Sequence, residues 1–560
     1  MNIRWPTHSR RIDPTATPDL VLTGGRVVHG QLAGADDQTG GGFADALAVT
    51  DGTIQAVGDA ATIERLAGPA TTVIDVAGRT VIPGLHDSHL HVLRGGLTWS
   101  DEVLWFELPS LNDALERLRA EVARRPAGAW IRAVGGWHPG QFRERRGPTS
   151  AELTALAPHH PIYVQLLYEE AVLNDAAMRA AGITAEVDDP PLGSFERDPT
   201  TGEPTGTIRG IGAFNHCLGQ IPPLSSEAQL ASTQRMLSDL NAYGLTGAID
   251  PGGFGMPPEA YEPIFQLWRD QAMTMKIRTY VCPATRGRER EELSAWMRHA
   301  RPGFGDAWLR HLGIGEITHF GCHDLEGLTD FAVTDTARQE LEEILLDAAR
   351  RGQPVHMHSV LDDTTSKILD VWERIDAHHP IGSSRWSLAH AEPISEANLD
   401  RVARLGAGIA VQDRLVYRAT DSANAWGADV VRRSPPLRSM LDRGIPLGAG
   451  TDATRVASPN PWVSLWWLVT GQGFDAGPER AASQCLSRLE ALDAYTRGSA
   501  WFSFEEHDRG RLQAGLAADI AVLSDDYLTV DDDAIRTLGS ELTIVEGQPV
   551  HAVGPFDGLA

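Results

Sequence analysis

The feature that most limits how this chain can fold is an alternation that runs from residue 244 to residue 470. A short apolar run with strand character is followed by a helical stretch, again and again. Runs at 244–250, 276–282, 312–317, 354–358, 386–390, 408–412 and 446–452 read as strands. Stretches near 257–272, 287–301, 335–351, 363–376, 395–404, 435–443 and 462–470 read as helices. Such a rhythm builds βαβ units and a parallel sheet. One more strand lies upstream, in Val81-Ile-Pro-Gly-Leu-His-Asp-Ser-His-Leu-His91. It brings the count to the eight that a TIM-like (β/α)8 barrel needs, provided that about 95–240 is a long insertion after strand 1.

At 560 residues the chain exceeds what one compact core usually holds, and 42% hydrophobic residues suffice to bury a large one. Residues 1–17 read as a loose arm. Between 18 and 80 the pattern is strands and turns: 20–28, a hairpin over 46–58 with Asp51-Gly52 at its tip, and 72–76. The run Gly40-Gly41-Gly42 reads as a flexible loop. The far end, 506–560, has the same style in Ala518-Asp-Ile-Ala-Val-Leu523 and Leu542-Thr-Ile-Val-Glu-Gly-Gln-Pro-Val-His551. Both chain ends are therefore expected to form one small β-sandwich domain, with the barrel of 81–505 inserted between them. Within the insertion, helical spacing appears at Leu111, Ala114, Leu115, Leu118 and Val122. Strands are expected at 131–136 and 161–167, and a hairpin across Asp198-Pro-Thr-Thr-Gly-Glu-Pro204.

Chemistry concentrates where the predicted strands end. Along an extended segment alternate side chains share a face, so His89 and His91 point the same way, with Asp87 beside them as an outer partner or a substrate contact. Two imidazoles at the end of a buried strand suit a divalent metal. Glu316, His358, His390 and Asp452 each close another predicted strand that is otherwise apolar. Catalytic groups of such barrels collect at those ends, so the six residues together read as one metal site. His356 lies two before His358 and could share its face. Trp137 and His138 are candidate substrate contacts from a lid, although a tryptophan packs equally well. Trp466-Trp467 are expected on the outer helices. Glu392 either orients His390 or is a surface acid.

The formal net charge of -26 disfavours nucleic acid and anionic membranes as partners. The 4 cysteines are dispersed with no CxxC pair, the start has no apolar leader, and no long apolar span occurs, so a cytoplasmic protein is expected. Neither a phosphate-cradling GxxxxGK[ST] loop nor a GxSxG elbow is present.

The ordered set Pro83-Gly-Leu-His-Asp87-Ser-His89-Leu-His91, Val355-His-Met-His358, Ala389-His390-Ala-Glu392 and Gly450-Thr-Asp452 resembles the amidohydrolase superfamily, most closely its amidohydrolase-3 (YtcJ-like) branch. Ile131-Arg-Ala-Val-Gly-Gly-Trp137 and Gly510-Arg-Leu-Gln-Ala-Gly515-Leu-Ala-Ala-Asp519 match the branch too, and the resemblance spans about 20–553. It implies that His89 and His91 hold one divalent ion, that His358 and His390 hold a second, and that Asp452 contacts the first ion and its water. Zinc is the expected ion, one or two per chain. The fourth-strand position, commonly a carbamylated lysine, is Glu316 here, which either bridges two ions or signals a single one. Near Leu167-Tyr-Glu-Glu-Ala-Val-Leu-Asn174 many branch members carry a histidine close to Glu169, and its absence implies a different substrate pocket.

The reading is a metal-dependent hydrolase of a C–N bond in a small-molecule amide, similar to N-substituted formamide deformylases. Metal-activated water attacks, and Asp452 acts as general base and then acid. Two alternatives stand beside it: a mononuclear aminohydrolase that deaminates a heterocycle, and a catalytically inactive binding protein on the same fold. A homodimer is compatible with all three.

Overall fold

The structure is a computed structural model, and it describes residues 13–30, 42–253 and 255–560. Most of the expected arm, and Gly40 and Gly41 of the glycine run, lie outside the described residues, whereas Gly42 opens a short strand (Gly42–Ala44).

The centre is a sheet of eight parallel strands: β1 (Leu85–Asp87), β2 (Leu245–Asp250), β3 (Lys276–Val281), β4 (Leu309–Glu316), β5 (Val355–Ser359), β6 (Ser387–His390), β7 (Gly408–Gln412) and β8 (Leu447–Gly450). Each pairs with the next in chain order. The ends meet where the Ser88 amide donates to Ala449 O at 3.0 Å and the Asp452 amide to His89 O at 2.8 Å. The expected barrel is present, with helices outside it.

Strand alternation decides what faces where. On β5, Val355 and Met357 join the apolar layer under the helices, while His356 turns inward and stacks on Tyr280 (5.4 Å between ring centroids). The outer helices carry their apolar residues at helical spacing. Asp335–Arg351 buries Ala337, Leu341, Ile344, Leu345 and Ala348, starts on the Thr334 side chain and stops at Gly352 in the left-handed region (φ 67°).

The barrel floor is closed by Phe502. A Cβ on Gly448 would lie 2.6 Å from that ring, so only glycine fits there. Beside it, Arg278 grips Glu505 through two hydrogen bonds of 2.6 and 2.9 Å, and Arg310 adds a third contact at 3.3 Å. Lys276 pairs with Asp519 at 2.8 Å and with Glu546, tying the barrel to the sheets built from the chain ends.

Those sheets have four and six strands. The first runs in the order Thr53–Gly58, Ala46–Thr50, Leu20–Thr23, Thr72–Asp75. In the second, Ile520–Leu523 from the far end pairs antiparallel with Thr80–Pro83. Their facing side chains, among them Leu22, Val49, Ile74, Val81, Ile520 and Ile544, form a core of their own. The expected hairpin tip holds, with Asp51 and Gly52 at φ 47° and 68°.

Two expectations need correction. The strand starting at Val81 is two strands. Thr80–Pro83 belongs to the outer sheet, and the barrel begins at Leu85 after Gly84, where a Cβ would come within 2.2 Å of the Thr246 methyl. Between β7 and the helix at Leu437–Asp442 lie two further helices, Leu415–Trp426 and Ala428–Val431. The first buries its apolar residues in one block, Leu415 to Ala419, and leaves helical geometry at Arg418. It therefore lacks the spaced apolar stripe by which helices are read from sequence.

The insertion holds the helix Leu111–Arg124, capped by Ser110, and a five-stranded sheet ordered Ser194–Arg197, Pro204–Arg209, Glu170–Leu173, Ile162–Leu166, Ile131–Val134. Among the described residues no helix is long and apolar enough to cross a membrane.

Candidate metal centre

β1 stops at Asp87, so His89 and His91 sit on the loop beyond it rather than on the strand itself. Asp87 shapes that loop. Its fully buried carboxylate accepts from the His89 amide (2.8 Å), the Thr451 amide (3.0 Å) and the Thr451 hydroxyl (2.9 Å), knotting the end of β1 to the end of β8. Burial pushes its pKa up to about 7 against these bonds. This placement behind the loop makes Asp87 a scaffold residue and not the substrate contact that was one expectation.

The two rings then meet edge to face, 5.4 Å apart. His89 Nε2 lies 3.2 Å from Glu316 Oε2 and 3.5 Å from Asp452 Oδ1. His91 Nε2 lies 3.5 Å from Glu316 Oε1 and 3.1 Å from Asp452 Oδ1. On the other side, His358 Nδ1 and His390 Nε2 approach Glu316 Oε2 at 3.8 and 3.9 Å. All six residues expected at the strand ends thus converge. Their donor atoms form three candidate ion-holding trios: His89–His91–Glu316, Glu316–His358–His390 and His89–His390–Asp452. Glu316 belongs to two of them: its Oε2 approaches His89, His358 and His390, and its Oε1 approaches His91.

The outer ring nitrogens of His89, His91 and His358 are held from behind, which fixes which nitrogen faces the centre, whereas His390 Nδ1 finds no partner among the described residues. His91 Nδ1 is 2.7 Å from Gly252 O. His358 Nε2 is 3.0 Å from Asp324 Oδ1 and 2.9 Å from Leu325 O, which leaves Nδ1 facing inward. His89 Nδ1 meets His356 Nε2 at 2.9 Å, so His356, left open as a neighbour, is the ring that backs His89. His89 Nε2 finds no hydrogen-bond partner within the protein. A buried imidazole nitrogen left open between two carboxylates is the donor set that a divalent cation satisfies.

Backbone strain marks the same place. His390 (φ 74°) and Asp452 (φ 55°) sit in the left-handed region, which side-chain-bearing residues seldom enter. Gln412 Oε1 accepts from the His390 amide at 2.8 Å, and His89 O accepts from the Asp452 amide, holding both in place. The electrostatics agree. Burial pulls the His89 imidazolium down, but the Asp452 and Glu316 carboxylates outweigh it and raise its pKa to about 10. Burial raises Asp452 and Glu316, and the facing histidines reverse this and hold both well below the usual carboxylate range.

The family model described as "Amidohydrolase family" matches residues 72–551. The chain belongs to this amidohydrolase family, and it is a metal-dependent hydrolase. Bacillus subtilis YtcJ, which carries an amidohydrolase name, is 26% identical over 525 residues, covering 90% of this chain and 96% of its own. The N-substituted formamide deformylase of Arthrobacter pascens is 25% identical over 522 residues, with 90% and 94% covered. A metal-dependent hydrolase from Pyrococcus furiosus shares the fold, with a TM-score of 0.64 at 21% identity, over 91% of this chain and 100% of that one.

Within this amidohydrolase several expected residues fall elsewhere. Trp137 is 2% exposed, stacks on Phe142 and donates its indole N–H to Gln165 O at 2.9 Å. It is core of the insertion, not a substrate contact. His138 caps the turn at Pro139–Gln141 and faces Asp421 at 3.3 Å, joining the insertion to the helix after β7. Glu392 is neither a surface acid nor a partner of His390: it is fully buried and bonded to Arg414 Nε at 2.8 Å. Trp466 and Trp467 pack as expected, on the helix Pro461–Thr470. Residues around the centre that the motifs did not mark include Asp324, Asp250, Arg94, Tyr168 and Arg414. Asp250 had a legible signal, since it closes an apolar strand as Glu316 does. It accepts from the Leu93 amide (2.8 Å) and the Gly252 amide (2.9 Å) and so carries the turn that backs His91.

Proposed function

We propose that this enzyme hydrolyses a C–N bond of a small amide, with N-substituted formamides as the favoured class, and that Asp452 moves the proton. The observation that carries the reading is the place of Asp452. One carboxylate faces His89 and His91 at 3.5 and 3.1 Å and also forms a trio with His390, so it spans both halves of the cluster. Divalent ions held there would supply a Lewis acid for the carbonyl and a lowered pKa for a bound water. Four imidazoles and two carboxylates suit zinc best among the common ions.

The protein's own groups do the rest. Asp452, kept ionised by the facing histidines, accepts the proton of the attacking water and returns it to the departing nitrogen. Glu316 lies between the two histidine pairs, with Oε2 at 3.2 Å from His89, 3.8 Å from His358 and 3.9 Å from His390 and Oε1 at 3.5 Å from His91, a central place that supports a bridge between two ions. The formamide class is supported by the Arthrobacter pascens relative. Four cysteines, all unbridged, support a reducing compartment such as the cytoplasm.

The test is elemental analysis of protein purified without chelator, for the wild type and Glu316→Ala, with turnover of a set of N-alkyl and N-aryl formamides by the wild type and Asp452→Asn. About two ions per chain falling to one or fewer, together with turnover lost in Asp452→Asn, is the expected result. Full turnover in Asp452→Asn removes its proton role. One ion in both proteins favours a mononuclear aminohydrolase, and no bound ion in either favours a binding protein.

A further inference from the structure

Three arginines stand at the mouth of the barrel, and two of them are already neutralised. Arg414 is bonded to Glu392 (2.8 Å) and Glu326 (3.3 Å). Arg418 contacts Glu326 (3.3 Å), Asp421 (3.4 Å) and Glu169. The third, Arg94, has no carboxylate within ion-pair distance among the described residues, and its buried Nε has no hydrogen-bond partner. A partly buried cation without a paired carboxylate is placed to take an anion from a ligand.

The position of Arg94 says where that anion comes from. It lies on the helix Val92–Gly96, which starts directly after His91. That helix is wedged between the ends of two barrel strands. Asp250 at the end of β2 accepts from the Leu93 amide at 2.8 Å, and a Cβ on Gly95 would meet the Thr454 methyl beyond β8 at 3.0 Å. The carboxylates that reach Arg94 with their charge, Glu316 and Asp452, aim their oxygens at the histidine nitrogens instead. The half-buried Tyr168 phenol, from the insertion, lies against the guanidinium. Burial works against the Arg94 charge, and the Tyr168, Glu316 and Asp452 groups more than offset it.

We infer that Arg94, with Tyr168 beside it, is the group that recognises the substrate, and that it takes a carboxylate carried by the amide next to its scissile bond. The guanidinium offers a planar fork of donors matched to a carboxylate. Arg414 and Arg418 cannot serve, since their donors are already taken. The class implied is an N-acyl or N-formyl amino acid in place of a neutral formamide. This rests on the amide reading proposed above.

The probes are N-formyl amino acids and the matching N-formyl amino acid amides, equal in size and differing in charge. Binding is measured by calorimetry on metal-loaded protein, with turnover followed alongside, for the wild type, Arg94→Met, Arg94→Lys and Tyr168→Phe. The wild type should bind the acids about tenfold or more tighter than the amides. Arg94→Met should abolish the preference, while Arg94→Lys keeps part of it and Tyr168→Phe weakens it. Metal content should stay equal in all four. Equal affinity for acids and amides in the wild type overturns the inference, as does a preference that survives Arg94→Met. The two readings fail apart. Amides cleaved with no preference for acids sink the carboxylate subsite and leave amide hydrolysis standing. Acids preferred in binding but never cleaved keep the subsite and sink amide hydrolysis.

Discussion

His356 Nε2 lies 2.9 Å from His89 Nδ1, and the far nitrogen of His356 lies 2.8 Å from Ser387 Oγ. Burial and the nearby His89 charge keep His356 well below the usual histidine range, so it is neutral and accepts the His89 N–H. The relay fixes the tautomer that presents His89 Nε2 to the centre. Truncating the outer partner of a metal-binding histidine typically costs 10- to 100-fold in affinity, so His356→Ala should lose about that much. Competition with a chromophoric zinc chelator measures it. Wild-type affinity in His356→Ala would remove the relay from the site.

Asp324 plays the same part on the opposite side. Its Oδ1 is 3.0 Å from His358 Nε2, and its oxygens also accept from the amides of Val360 (3.1 Å) and Leu361 (2.7 Å). Asp324→Asn preserves shape but turns one acceptor into a donor. If two ions bind as proposed, the one at His358 and His390 should then be lost preferentially, so that metal content falls by about one ion while the one at His89 and His91 stays. Loss of both ions in equal measure would show that the two halves are not independently held.

A cluster of four histidines and two acids should also be a stability element. Ions that bind the folded chain and not the unfolded one stabilise it by RT ln(1 + [L]/Kd), about 4 kcal/mol at a thousandfold excess over Kd. Dialysis against chelator should lower the melting temperature, and returning zinc should restore it. In Glu316→Ala the drop on chelation should be smaller, because the variant starts with fewer ions. A melting temperature indifferent to chelator would mean that the trios hold no ion.

The barrel and the six converging residues were legible because both rest on local pattern. Apolar strands at regular spacing announce β2 to β8, and a polar side chain at the end of an apolar run stands out. What was not legible depends on pairing across long sequence distances. Thr80–Pro83 runs into Leu85–Asp87 with only Gly84 between them, and only its partner Ile520–Leu523, more than four hundred residues away, assigns it to the outer sheet. His356 and His358 are equivalent by period, and only contacts from distant elements separate their roles: His89 Nδ1 engages His356, while Asp324, from the loop after β4, backs His358. Trp137 followed the motif but not the geometry, since an indole with a carbonyl partner packs inside as readily as it faces a ligand. Arg94 carries no motif at all: its significance is the lack of a paired carboxylate among the described residues, which only three-dimensional packing can reveal.

The barrel floor gives a prediction of pH dependence away from the metal. Glu505 is buried against Arg278 and Arg310. Burial raises its pKa, but the Arg278 and Arg310 charges prevail and hold it well below its ordinary 4.5. A carboxyl depressed in this way binds fewer protons in the folded chain than in the unfolded one. Its stabilisation is therefore complete above about pH 4.5 and is lost as the pH falls through the folded value. Glu505→Gln removes the charge and leaves Arg278 without its anion, which for a broken buried pair costs about 3–5 kcal/mol near neutral pH. The gap in stability between wild type and Glu505→Gln, followed by denaturant unfolding, should be flat from pH 7 to about pH 5 and should shrink below about pH 4.5. A gap that stays constant to pH 3 would mean that the loss comes from packing rather than from the carboxylate. A gap that widens in acid would reverse the sign and show that Glu505 is protonated in the native floor.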